Sequence, residues 1–170
     1  KHLDRIPVWL VDDNRNYCVV LSETLNETKT VECRECFHSC KSAIRALAET
    51  EEPPSVILLD IKMPKMSGLD AIPRLKQISP ATQIIMLTSH DLDDNIRIAM
   101  QRGASGYLLK TSKSSQIVSA VEEAQRGGLS LDSAITRRIV DDFLGQRTRD
   151  IYHLTKREKD ILQRIATGRS

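Results

Sequence analysis

No apolar run in the 170 residues approaches the roughly 20 that a membrane-spanning helix needs, and no charged-then-apolar leader opens the chain. The expected compartment is therefore the cytoplasm. Internal repeats and low-complexity tracts are also lacking, and so is a strong charge of one sign: 25 Lys and Arg stand against 23 Asp and Glu, a net +2. That balance, with 40% hydrophobic and 28% charged residues, excludes a mainly disordered chain. The small basic surplus is uneven, because residues 1–128 carry 16 basic against 17 acidic side chains whereas residues 129–170 carry 9 against 6. By itself a surplus of that size reads as solvated surface rather than as a nucleic-acid site.

A convincing metal spacing of cysteines is missing too. Cys33, Cys36 and Cys40 lie near His38 in sequence. If Thr30 to Phe37 is a strand, however, Cys33 and Cys36 point to opposite faces, whereas a structural zinc site needs four converging ligands. Free thiols, buried or half-buried, are expected at these positions and at Cys18.

What the chain does have is alternation. Apolar runs at Ile6 to Val11, Val56 to Leu59, Ile84 to Leu87 and Tyr107 to Leu109 read as buried strands, with Thr30 to Phe37 a more polar strand nearer an edge. Helix-period stripes separate them: Tyr17 to Leu25, Cys40 to Ala48, Leu69 to Ile78, Leu92 to Gly103 and Ile117 to Ala124. Pro73 predicts an irregularity in the third of these. Five repetitions of strand then helix imply a doubly wound five-stranded parallel sheet covered on both faces. Beyond Gly127-Gly128 a helix is expected within Asp132 to Leu144, and another from Leu154 to Ala166 with Thr155 and Glu158 as a capping box.

Function in such a sheet collects beyond the carboxyl ends of the strands. There the sequence puts Asp12-Asp13, Asp60, Thr88-Ser89 and Lys110. Three neighbouring carboxylates repel one another and need a cation or protons, and Mg²⁺ suits oxygen ligands of this kind. A carboxylate can also attack phosphorus to give an aspartyl phosphate, with metal and ammonium offsetting the transferred charge.

The segments Val11-Asp12-Asp13-Asn14, Leu58 to Pro64, Leu87-Thr88-Ser89 and Gly106 to Lys110 together resemble the receiver domain of response regulators, over approximately residues 5–127. That resemblance implies a flavodoxin-like fold, Asp60 as phosphoryl acceptor and a Mg²⁺ cofactor. The metal would be held by Asp13 directly, Asp12 through water, Asp60, and the Lys62 backbone carbonyl. Thr88 would be the hydroxyl that follows the phosphoryl group, Lys110 the ion pair and Tyr107 the aromatic switch. Lys62 and His90 would border the path of the water that hydrolyses the phosphate. Thr111 follows Lys110 where many receivers have proline in a cis bond, and without proline that bond is costly.

The tail, Leu154-Thr155, Arg157-Glu158, Ile161-Leu162, Ile165-Ala166, Gly168 and Ser170, resembles the opening of the LuxR-type helix-turn-helix domain of NarL/FixJ regulators. The implied organisation is a receiver at 1–127, a linker with a helix at 128–153 and the start of a DNA-binding domain at 154–170. The chain opens on Lys1 and is expected to be a fragment whose parent binds DNA although this piece does not. A sensor histidine kinase is the implied phosphodonor and a homodimer a possible assembly. A signalling switch, not an enzyme, is the expected function; the alternatives are a receiver acting through protein contacts alone and an Asp-nucleophile phosphohydrolase. A flavin module is disfavoured because Asp12-Asp13-Asn14-Arg15 replaces a loop of small and hydroxyl residues.

Overall fold

The apolar runs become strands and the stripes become helices. A computed structural model of the chain describes residues 5–89, 93–137 and 140–141, with backbone alone at 93 and 94. Strand β1 (Ile6–Val11) leads through α1 (Arg15–Asn26) to β2 (Val31–Phe37), and α2 (Cys40–Glu49) leads to β3 (Val56–Asp60). Then follow α3 (Gly68–Ile78), β4 (Gln83–Thr88), α4 (Asp93–Gln101), β5 (Gly106–Leu109), α5 (Ser114–Gln125) and β6 (Ser130–Leu131). All pairings are parallel, in the order β2-β1-β3-β4-β5-β6.

The sheet thus has six strands rather than the five read from the sequence. β6 is two residues long and follows the glycine pair after α5, pairing Gly106 with Ser130 and Tyr107 with Leu131. So short a strand carries no periodic signal of its own. The first compact unit runs to Ile135, and Thr136–Ser170 forms a second unit. The helix expected from Asp132 is present at 133–137; the tail helix at 154–166, and His90, lie outside the described residues.

Strand alternation divides the core in two. Val8, Leu10, Leu58, Ile85, Leu87 and Leu108 face α1 and α5, packing on Leu21, Leu25, Ile117 and Val121. Trp9, Val11, Ile57, Leu59, Met86 and Tyr107 face the opposite way, toward α2, α3 and α4, and Ile135 joins that side. Side-chain caps hold three helix starts: Asn14 accepts from the Tyr17 N–H, Ser39 from that of Ser42 and Ser67 from that of Asp70.

Two features of the backbone have local causes. α3 runs through Pro73 as one element. Proline cannot donate to the Leu69 carbonyl four residues earlier, and the Arg102 guanidinium fills that role at 2.7 Å. Arg102 also meets the Asp70 carboxylate at 2.9 Å. In β2 the register slips: Val8 pairs with Cys33 but Trp9 pairs with Glu35, so Arg34 is an extra residue. The bulge turns Cys33 and Cys36 to the same face, with their sulfurs 3.8 Å apart. The opposite-face reading assumed unbroken alternation.

Candidate functional site

β1 lies between β2 and β3, so the chain leaves it for one side and later returns to the other. The crevice at this reversal sits beyond the ends of β1 and β3. Asp12 immediately follows β1, Asp60 is the last residue of β3, Thr88 the last of β4, and Lys110 follows β5. The Lys110 N–H donates to the Thr88 carbonyl at 2.7 Å, which extends the β4–β5 ladder and aims the lysine across the strand ends.

Lys110 Nζ stands 2.5 Å from Asp12 Oδ2 and 3.1 Å from Asp60 Oδ2. It also lies 4.9 Å from the centre of the Tyr17 ring, a cation–π contact. Asp12 and Asp60 are buried, whereas Asp13 is exposed. One oxygen from each of the three comes within 4.8 Å of the others. Asp12 Oδ1 accepts from the Asn14 N–H at 2.9 Å, and Asp60 Oδ1 takes only a long 3.4 Å contact from the Lys62 N–H.

Charge in the crevice does not balance: three carboxylates share one ammonium. Burial pushes the Asp60 carboxyl above its ordinary range; the Lys110 hydrogen bond pulls it back down, the Asp12 charge pushes it further up, and the net is a rise. Burial acts to lower the Lys110 ammonium, but hydrogen bonds to Asp12 and Asp60 outweigh it and hold the proton more tightly than usual. A paired carboxylate normally moves down. That Asp60 moves up instead means that one lysine does not offset desolvation plus a second buried carboxylate.

Several residues here escaped sequence reasoning. The Asp12 carbonyl accepts from His38 Nδ1 at 2.9 Å, which fixes the proton on that nitrogen, and from the Cys18 thiol at 3.4 Å. Gly68, the first residue of α3, donates its N–H to the Ile61 carbonyl at 2.9 Å. A Cβ at Gly68 would collide with the Asp60 carbonyl oxygen, so only glycine allows α3 to start against the end of β3. Lys65, at φ 67°, turns the chain between them, and the Met66 N–H reaches back to the Pro64 carbonyl at 2.8 Å. Tyr107 is fully buried on β5, registered with Met86 of β4. The described residues contain no cis peptide bond and no helix long and apolar enough to cross a membrane.

A family model described as the response regulator receiver domain matches residues 8–122. The transcriptional regulatory protein MctR of Rhizobium johnstonii is 40% identical over 118 residues, which is 69% of this chain and 53% of that protein. The nitrate/nitrite response regulator protein NarL of Escherichia coli K12 is 35% identical over 72% of this chain and 57% of its own length. The chain thus spans little more than half the length of these relatives. It spans 78% of the transcriptional regulatory protein LiaR of Bacillus subtilis, at 31% identity over 97% of the chain. Among solved structures, a LuxR-family two-component response regulator from Aurantimonas superposes with a TM-score of 0.77, covering 83% of this chain and 99% of that one. At 23% identity it speaks to the fold alone. The signal receiver domain of the response regulator NarL from Mycobacterium tuberculosis, at 26% identity, gives 0.65 over 72% of this chain and 98% of its own. With a receiver model over most of its length and NarL-type transcriptional regulators as its relatives, this chain belongs to the response regulators.

Proposed function

We propose that the chain is the phosphoryl-accepting switch of a two-component system and that Asp60 is the acceptor. The carrying observation is a buried carboxylate at a strand end whose Oδ2 pairs with Lys110 while its Oδ1 has only a 3.4 Å contact. That freer oxygen attacks phosphorus, the bond from phosphorus to the donor's leaving group breaks, and an acyl phosphate remains on Asp60. The donor is the phosphohistidine of a sensor kinase. Asp13, Asp60, the Lys62 carbonyl and, through water, Asp12 would hold Mg²⁺. The fit is chemical: all donors are oxygens, the cluster carries two uncompensated negative charges, and buried Asp12 Oδ2 has no hydrogen-bond donor of good geometry beside the Lys110 contact. Bound there, Mg²⁺ supplies positive charge against the phosphoryl oxygens.

Lys110 neutralises charge from the other side, and the Thr88 hydroxyl at the end of β4 follows the new phosphoryl oxygens. Tyr107 lies on the face toward α4 and turns with Thr88, so the signal leaves through α4, β5 and α5. The output is control of transcription by a DNA-binding domain continuing from residues 154–170, in the manner of the relatives, with a homodimer as the acting species and the cytoplasm as the setting. The test is incubation with a small acyl-phosphate donor and Mg²⁺. One acid-labile phosphoryl group per chain is expected, lost in Asp60→Asn and in chelator. Stoichiometric labelling of the variant would overturn the acceptor, and repeated product release from an added substrate would favour a phosphohydrolase.

A further inference from the structure

The four thiols fall into two kinds. Cys18 and Cys40 are buried, and burial pushes both up to about 11. Cys33 and Cys36 are half-buried, and the Arg34 bulge brings them onto the face of β2 that packs beside α1. Their sulfurs are 3.8 Å apart and share a hydrogen bond. Two Asn26 contacts pin the Cys33 backbone, its N–H donating to Asn26 Oδ1 at 2.8 Å and its carbonyl accepting from Nδ2 at 3.4 Å. β2 is an edge strand, so a local adjustment there breaks no pairing on its outer side.

We propose that Cys33 and Cys36 form a reversible redox site, oxidised by hydrogen peroxide to an intrachain disulfide and restored by a thiol reductant. Cys36 is the attacking sulfur. Its hydrogen bond with Cys33 lowers it and outweighs the opposing effect of burial, with the Ser22 hydroxyl and His38 adding to the lowering. Cys33 is held up by the same hydrogen bond and by burial, and it resolves. The Cys36 thiolate attacks one peroxide oxygen, the O–O bond breaks and hydroxide leaves, giving a sulfenic acid. Cys33 sulfur then attacks that sulfur, the S–O bond breaks, and water departs with the Cys33 proton as the S–S bond forms. Two thiols lose two electrons, and one peroxide becomes two waters when the hydroxide takes up the proton that Cys36 had released. The sulfurs must close from 3.8 Å to about 2 Å, a rotamer change with some movement of the bulge. That movement reaches the acidic crevice along the strand: the carbonyl of Phe37, next to Cys36, accepts the Asp12 N–H at 2.9 Å, and its ring packs at a tilt of 55° against Trp9 with ring centres 4.9 Å apart.

Trypsin cuts after Arg34, between the two cysteines, and fragmentation of the linked 35–41 peptide tells Cys36 from Cys40 as the bonded residue; a bond from Cys33 to Cys40 would overturn the pairing. The reduced chain is treated with hydrogen peroxide, denatured, alkylated and digested without reductant. Titratable thiols should fall from four to two, peptide 30–34 should appear linked to peptide 35–41, the chain should stay monomeric on a non-reducing gel, and dithiothreitol should restore all four. Fluorescence of Trp9, the sole tryptophan, should change reversibly in step. Cys33→Ser should trap a sulfenic acid at Cys36, and Cys36→Ser should keep its thiols at the peroxide dose that halves those of the parent. A link from 16–29 to 35–41, a bond within 35–41 or a disulfide dimer would each overturn the pairing. Four surviving thiols in the parent would overturn the site.

Discussion

Neutralising Asp60 should make the metal-free protein more stable, although it removes a partner from Lys110. At an effective dielectric constant of about 20, the 3.1 Å contact between Lys110 Nζ and Asp60 Oδ2 is worth about 5 kcal/mol of attraction. Asp12 and Asp13 each bring an oxygen within 4.8 Å of Asp60, and each repels it by at least about 3.5 kcal/mol on the same scale. Repulsion therefore exceeds attraction by about 2 kcal/mol, and the variant avoids burying a charge as well. Allowing for weaker hydrogen bonds to an amide, Asp60→Asn should gain about 1–2 kcal/mol in chelator. The pH dependence follows from the raised carboxyl. The folded protein holds a proton that the unfolded chain has already released, so this stabilising contribution is present below the unfolded value of about 4 and disappears as pH rises through the folded one. The advantage of the variant should accordingly be largest near neutrality and shrink as pH falls through that window. Urea unfolding of both proteins, with EDTA and then with excess Mg²⁺, measures the difference. Mg²⁺ should stabilise the parent more than the variant and narrow or invert the gap. A parent that is the more stable protein in EDTA at neutral pH would refute the charge argument, because the lysine pair would then dominate.

Gly68→Ala should cost about 1–3 kcal/mol and weaken Mg²⁺ binding, since its Cβ drives α3 away from the Asp60 carbonyl; urea unfolding and metal titration read both, and an unchanged midpoint would show that α3 can shift freely. Arg102→Ala should cost about 1–2 kcal/mol, mostly through the Leu69 carbonyl, because the Asp70 pair is exposed and screened. Restoring a backbone donor with Pro73→Ala should shrink that penalty in the double variant, and strictly additive losses would deny the link between the two residues.

Much of this protein is written locally. Ile6–Val11 matches the expected strand residue for residue, and the other strands differ by a residue or so at their ends, because strands buried on both faces must be almost wholly apolar. The placement of Asp12, Asp60, Thr88 and Lys110 at strand ends was legible for the same reason: each is the polar residue at which an apolar run stops. The Cys33–Cys36 approach was not, since one bulged residue inverts the parity on which any face assignment depends. β6 needed β5 beside it to be a strand at all.

The sequence alone therefore determined the order of elements, the two-sided core and the polar residues at its carboxyl edge, since burial demands a hydrophobic period that can be read one segment at a time. Only the tertiary structure decided which groups meet. One ammonium faces two buried carboxylates, His38 and Cys18 converge on the Asp12 carbonyl, Gly68 abuts Asp60, and Arg102 serves the carbonyl that Pro73 leaves open. These contacts join residues far apart in the chain, and their energies depend on distance and desolvation, which no local pattern encodes.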